Sequence, residues 1–473
     1  EHYDLGQSYL LQYQYSGAIT EFKSALRINY LDNSARIGLI SIYDMEESNM
    51  NKINLRNSDG KIYTGWYIVL MGVLLMSFAY SCVVSVSGVF MVPVTEELGI
   101  KIGDFSIWVT IMSIVSIIFL SVISKVFSQK TIKKLMIICC FCGIAGFLGF
   151  ATSNSLMQFY ISSVPLGICF GGLTTTPSAL LVNNWFPASI RGKALGFLFG
   201  GNSLLVMGLI PVINAVVQNL GWRTAYYALA ATLLVICLPL IIRFAIWSPE
   251  MTGEKLAGAS DSEEEVVSGE KAEGISFKDG LKSPATWLMF ISGTLLVIAS
   301  SAILGHSQPF LMMNGYSAIF ASNVTSIMIG ICVVTCAVVG ALNDRYGLKA
   351  AVIISSISFV LAYIAQIFIP GGGIIMVALF ILFYGIGCPA VNIVSPLFAS
   401  HMFGPKDVGA FIGYINLFIS MGGAIGISLV GKLYDITGTY ITPFWICAGI
   451  LFVSFLIRIV CASEKYSYKN RIK

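Results

Sequence analysis

Residues 284–343 read PATWLMFISGTLLVIASSAILGHSQPFLMMNGYSAIFASNVTSIMIGICVVTCAVVGALN, without one Asp, Glu, Lys or Arg. A hydrocarbon core about 30 Å thick takes roughly 20 apolar residues per helix, so this run holds two membrane spans. The rest of the chain repeats the pattern. Stretches 65–94, 105–124, 135–182, 194–222, 224–242, 350–405, 408–431 and 436–457 also lack acidic and basic side chains. The only imidazoles within them are His306 and His401, and His401 falls near a span end. The set divides into spans 65–94, 105–126, 135–152, 156–182, 192–218, 224–246, 285–313, 321–342, 350–368, 373–400, 407–433 and 440–461. The expected fold is an all-α membrane protein of twelve transmembrane helices in two six-helix bundles. Its chemistry is expected to fall to uncharged polar groups and at most one histidine.

Composition agrees. The 473 residues have mean hydropathy +0.82, with 56% hydrophobic and 11% charged side chains, where soluble domains carry about 25% charged. A dispersed net charge of +4 speaks against a nucleic-acid partner; the partners expected are membrane lipid and a small-molecule substrate. Cys139, Cys140 and Cys142 contain a C-x-x-C spacing, but no His or second pair stands nearby, so they read as packing residues. Gly192, Gly196, Gly200 and Gly201, and Gly409, Gly413, Gly422, Gly423 and Gly426, read as helix-packing faces. They are not phosphate loops, because no Lys-Ser or Lys-Thr follows and no strand precedes. No metal, cofactor or catalytic constellation is expected.

The chain divides into 1–49, an N-terminal bundle at 50–247, an acidic flexible linker at 248–283 and a C-terminal bundle with a basic tail at 284–473. Leu5, Gly6, Tyr9, Ala18, Phe22 and Ala25 resemble the pattern of a tetratricopeptide repeat, and Leu39 and Tyr43 start a second unit 34 residues after Leu5 and Tyr9. Such a segment implies a peptide partner; the alternative is an upstream coding region joined to a protein that starts at Met50. The linker carries Glu263, Glu264 and Glu265 among Gly, Ser and Ala. Lys125, Lys130, Lys133, Lys134, Arg191, Lys193, Arg345, Lys349 and Lys406 fall in alternate connections, on the side of both termini. The positive-inside rule therefore places both termini and the linker in the cytoplasm, in a cytoplasmic membrane. The halves repeat: Phe186 and Phe403, Gly196 and Gly413, and Gly221 and Gly438 are each 217 apart, the mark of a two-bundle transporter with its site between the repeats.

Gly340-Ala341-Leu342-Asn343-Asp344-Arg345-Tyr346-Gly347-Leu348-Lys349 resembles the loop signature of the major facilitator superfamily, G-x-L-x-D-R-x-G-x-[RK]. The resemblance implies a gating loop carried by Gly340, Asp344, Arg345 and Gly347. The first-half copy has Ser121, Lys125 and Ser128 where Gly, Asp and Gly are expected. Gly65-Trp66-Tyr67, Trp185-Phe186-Pro187, Arg191-Gly192-Lys193-Ala194-Leu195-Gly196 and Gly221-Trp222-Arg223 resemble the oxalate/formate antiporter and monocarboxylate transporter branch. That branch implies a small carboxylate. Its members bind the anion with Arg or Lys in spans eight and eleven, or Lys in span one; this chain has none there.

Site candidates are midspan polar residues: Tyr80, Asn202, Tyr384, Tyr414 and Asn416, each of which also reads as an interhelical hydrogen-bonding group. Asn392 shares a broken segment with Gly385, Gly387 and Pro389. His306 is followed by Gln308 and Pro309, and an intramembrane His reads either as a neutral bonded group or as an anion or proton carrier. Thr174, Thr175 and Thr176, before Pro177, read as satisfying backbone carbonyls at a kink. The function expected is transport of a small organic solute by alternating access, with an organic acid favoured. A neutral or amphipathic solute is the alternative, and a membrane sensor with a partner-binding repeat is a third reading.

Overall fold

A computed structural model describes residues 62–81, 85–123, 127–254, 274–392, 394–404 and 407–468. The repeat-like segment 1–49, Glu263–Glu265 and the last residues of the basic tail lie outside them. So do the side chains of Tyr80, Asp344 and Asn392.

Hydrocarbon offers no hydrogen bonds, so each crossing segment must satisfy its own backbone, and a helix does this. Helix α1 runs Thr64–Met76, continues as a π-helical turn Ser77–Ser81, and resumes as Ser87–Leu98. Then come α2 (Ile102–Ile123), α3 (Ile132–Ala151), α4 (Leu156–Trp185), α5 (Ala188–Leu220) and α6 (Trp222–Phe244). The second half has α7 (Pro284–Met313), α8 (Ala318–Tyr346) and α9 (Leu348–Ile367). It continues with α10 in three pieces, Ile369–Gly387, Pro389–Asn392 and Val394–Phe403, then α11 (Val408–Thr437) and α12 (Ile441–Cys461). Among the described residues eleven of these are long and apolar enough to cross a membrane unbroken; of α1 the described helical parts are Thr64–Met76, Ser77–Ser81 and Ser87–Leu98.

The twelve spans form two six-helix bundles. The first shares one continuous buried core. The second has two cores, one holding Tyr384 and Ala390, the other Val394 and Phe398, so the division falls at the break in α10. Small residues let the helices close up: a Cβ on Gly172 would stand 2.1 Å from Cys139 Sγ, and one on Gly426 would stand 2.1 Å from the Ile298 carbonyl. Cys332 of α8 and Cys388 at the α10 break form a disulfide with Cα atoms 5.7 Å apart, a pairing the sequence did not suggest.

The kink in α4 is as expected. Thr174 leaves the helical region (φ −92°, ψ −129°), and its hydroxyl donates to the Phe170 carbonyl at 2.5 Å. The internal repeat reappears at Gly221 and Gly438, both at positive φ (84° and 69°). Both edges of the stretch read as linker are docked rather than free. Glu254 accepts from the Thr64 hydroxyl at 2.9 Å, while the Ile275 N–H donates to the Phe403 carbonyl at 2.8 Å and the Phe277 N–H to Asp407 at 2.7 Å.

Candidate functional site

The end of the molecule carrying the Lys/Arg-rich connections is called here the basic end, and the other the far end. At the far end the two bundles are sealed together. Gly103, at the start of α2, lies against Gly431 of α11: a Cβ on either would fall within 2.9 Å of the other's backbone. The Gly103 N–H donates to Asp435 Oδ2 at 3.0 Å, which puts a carboxylate on the positive end of α2. Asp104 pairs with Lys432. Deeper in, Thr110 donates to the Ala424 carbonyl at 2.5 Å and meets the Ser428 hydroxyl at 2.7 Å, and Ser428 donates to the Ser106 carbonyl at 2.8 Å. On the next pair of helices, a Cβ on Gly88 of α1 would stand 2.9 Å from the Gly305 carbonyl of α7.

Toward the basic end the same helix faces part. Ala424 presses on α2, but Gly413, eleven residues earlier on that face, has nothing within 4 Å of a Cβ. Met207 of α5 fills the notch at Gly330 of α8, but Gly200 and Gly196, seven and eleven residues before it, also meet nothing. The expectation that Gly192, Gly196, Gly200 and Gly413 are packing faces is therefore corrected: they border open space, while Gly201, Gly422 and Gly426 do pack.

The predicted site residues fall in several places rather than one. Asn202 of α5 is buried and accepts from Ser77, in the π-helical turn of α1, at 3.0 Å; Tyr80 belongs to that same turn, and such turns recur at functional sites. His306 is fully buried behind the seal. Its Nε2 lies 2.7 Å from the Ile427 carbonyl and so donates to it, which leaves Nδ1 to accept from the Tyr440 hydroxyl at 3.3 Å. Gln308 is buried beside Gly88, its Nε2 without a partner among the described residues. Tyr384 packs against Phe359 inside the second bundle. Tyr414 and Asn416, expected near the middle of span eleven, sit in the first turns of α11 instead. Tyr414 is 42% exposed between Phe277 and Phe290, and Asn416 is exposed.

The break in α10 gathers groups that the sequence did not single out. Pro389 has no N–H for the Gly385 carbonyl, and Thr335 of α8 donates to that carbonyl at 2.5 Å. Arg458 of α12 reaches the break from the other side. Its Nη2 donates to the Ala390 carbonyl at 2.9 Å and to Ser395 Oγ at 3.0 Å, and its guanidinium lies 5.2 Å from the Phe398 ring. The residue is 2% exposed. Arg458 lies just past the charge-free run 436–457, and its burial adds a charged group to the uncharged groups and single histidine expected inside the spans. The signal was present: Phe444, Cys447, Leu451, Ser454 and Arg458 follow a helical stripe, and all are buried.

Residues 73–400 and 315–472 match the profile of the Major Facilitator Superfamily. The chain belongs to this superfamily. It is 22% identical over 408 residues to monocarboxylate transporter 10 of Rattus norvegicus, covering 82% of this chain and 76% of that protein. It is 24% identical over 390 residues to the uncharacterized MFS-type transporter YcxA of Bacillus subtilis (strain 168), covering 80% and 91%. The fold is similar to that of the nucleoside transporter NupG, with TM-score 0.66 at 14% identity over 85% of this chain and 99% of that one. It is also similar to a bacterial homolog of the human lysosomal transporter Spinster in an inward-facing, occupied conformation, with TM-score 0.60 at 13% identity over 86% and 98%. Like other members, this facilitator protein is a multi-pass membrane transporter and not an enzyme.

The superfamily loop is built as its glycines imply at one end only. Gly347 turns at φ +81° and donates to the Asn343 carbonyl at 2.8 Å. Arg345 is exposed, 5.4 Å from the Tyr346 ring. A Cβ on Gly340 would meet nothing within 4 Å.

Proposed function

We propose that this facilitator protein carries a small organic acid anion across the cytoplasmic membrane by alternating access, with both termini and the basic end in the cytoplasm. The observation that carries the reading is the one-ended seal. α2 and α11 share a face that is in contact at Gly103–Gly431 and open at Gly413. A solute path closed at one end and open at the other is one half of a rocking cycle. The basic loops would lie inside, which makes this the inward-open half. The acid is favoured by the branch-like loop motifs and by the likeness to a monocarboxylate transporter. Asn202 with Tyr80 on one bundle, and Tyr384, Asn392, Tyr414 and Asn416 on the other, are the solute-contact candidates. His306 and Gln308 belong to the frame of the seal, since both ring nitrogens of His306 are already engaged, by Ile427 of α11 and by Tyr440 just before α12.

A neutral polar solute is the second reading, supported by the lack of Lys and Arg in the middle of the helices that face the other bundle. Uptake of labelled acids and neutral metabolites into vesicles reconstituted with the full chain decides between them. Saturable uptake of an acid supports the proposal. Uptake confined to neutral compounds sinks the acid, and a protein that moves nothing while binding solute would turn the reading toward a sensor.

A further inference from the structure

Among the described residues the second bundle contains a buried cation and no buried carboxylate. Its only acidic residues are Asp344, Asp407, Asp435 and Glu464, none inside a charge-free run. Asp407 bonds the Phe277 N–H and Asp435 bonds the Gly103 N–H at the far end. No carboxylate among the described residues lies against Arg458. Its bonds to a carbonyl, a hydroxyl and an aromatic face involve one guanidinium nitrogen and the ring stack. Nη1 is buried and without a partner among the described residues. A guanidinium held away from water and unpaired is costly, and its planar fork matches a carboxylate.

A second unpaired group lies at the same level. Ser356 of α9 is buried with its Oγ unpartnered. It stands one turn toward the basic end from Phe359, whose Cα would be 3.0 Å from a Cβ on Gly387. Gly387 opens the break, and Ala390, which Arg458 holds, is one turn toward the basic end on α10. Two unsatisfied polar groups, one on α9 and one on α12, therefore lie near the break in α10.

We propose that Arg458 and Ser395 form a carboxylate subsite at the break of α10, closed in this state and opened when the piece Val394–Phe403 swings on the break. The division of the second bundle's core falls at the same point. The carboxylate takes the Nη1 donors and supplements or displaces the Ala390 carbonyl on Nη2. The subsite deepens the acid-transport reading and rests on it for its physiological ligand, but its occupation needs no transport.

The test is thermal unfolding of the purified full chain with sodium acetate, against acetamide at the same concentration and fixed ionic strength. Acetate is expected to raise Tm and acetamide to leave it unchanged. Arg458→Gln should abolish the acetate effect, and KM for a transported acid should rise roughly tenfold or more, as for loss of a charge-assisted bond. Arg458→Lys should keep part of the effect and Ser395→Ala should reduce it, which keeps the test decisive if Arg458→Gln fails to fold. An acetate effect absent from the natural chain, or unchanged in Arg458→Lys and Ser395→Ala, overturns the subsite. So does an Arg458→Gln protein in which uptake of acids and neutral solutes falls alike, since that is the behaviour of a structural tie. If acetate binds through Arg458 but no acid is transported, the transport reading fails and the subsite stands. If acid is transported with KM indifferent to Arg458→Lys and no acetate effect, the reverse holds.

Discussion

One methyl group should tilt the balance between the two states of this protein. In Gly431→Ala the new Cβ would stand 2.8 Å from Ser106 Oγ and 2.9 Å from Gly103 Cα. The Ser106 hydroxyl can rotate, but the second contact is backbone and cannot. Overpacking of this kind costs about 1–3 kcal/mol. The clash joins α11 to α2, that is, one bundle to the other, so it falls on the sealed state and vanishes once the far end opens. A bias of about 1–3 kcal/mol shifts the equilibrium by about 5–150-fold. The assay is the labelling rate of Thr110→Cys by a membrane-impermeant maleimide applied from the far side, with the parent chain giving the background. Thr110 lies under the seal, bonded to Ala424 and Ser428. The rate should rise by that factor in Gly431→Ala. Gly196→Ala, whose Cβ meets nothing, should leave it unchanged. An unchanged rate in a folded Gly431→Ala protein would refute the assignment of Gly103 and Gly431 as the point of closure.

Three other perturbations follow from the same geometry. Asp104 and Lys432 pair at a partly exposed site, so Lys432→Ala should loosen the seal by under about 1 kcal/mol, and the exchange Asp104→Lys with Lys432→Asp should restore the labelling rate of Thr110→Cys alone. Thr335→Val leaves the Gly385 carbonyl without a donor and should lower stability by about 1–3 kcal/mol in thermal unfolding, whereas Thr335→Ser should not. Non-reducing peptide mapping should recover the segments around Cys332 and Cys388 as one species, and recovering them separately from the oxidised protein would deny the link.

The spans were legible because burying charge in hydrocarbon is so costly that charge-free runs mark helices almost by themselves. The α10 break was legible too, since Gly385, Gly387 and Pro389 cluster. The π-helical turn of α1 at Ser77–Ser81 was not, because a serine-bearing run without proline reads as an ordinary apolar helix. Glycine carries an ambiguity that composition cannot resolve. Gly426 is small because Ile298 presses on it, while Gly413 on the same helix faces open space; only the position of the opposite bundle tells them apart. Arg458 escaped because it sits one turn from the end of the last apolar run, where a basic residue reads as an interfacial anchor. Its helical spacing from Ser454 and Leu451 shows that it points inward. The seal combines Asp104, Lys432 and Asp435 from segments more than three hundred residues apart, and no local pattern joins them.

The unequal cores of the two halves bear on how the protein could be trapped. The first half, with one core, offers a stiff platform: an antibody fragment gripping only its exposed loops should ride along with the cycle and leave turnover intact. The second half is jointed at α10. A binder that spans the joint, touching the α9–α10 turn on one side and the α10–α11 connection on the other, would splint it. Such a splint should arrest turnover while leaving the far-end seal free to form, separating the bending of one helix from the rocking of the whole.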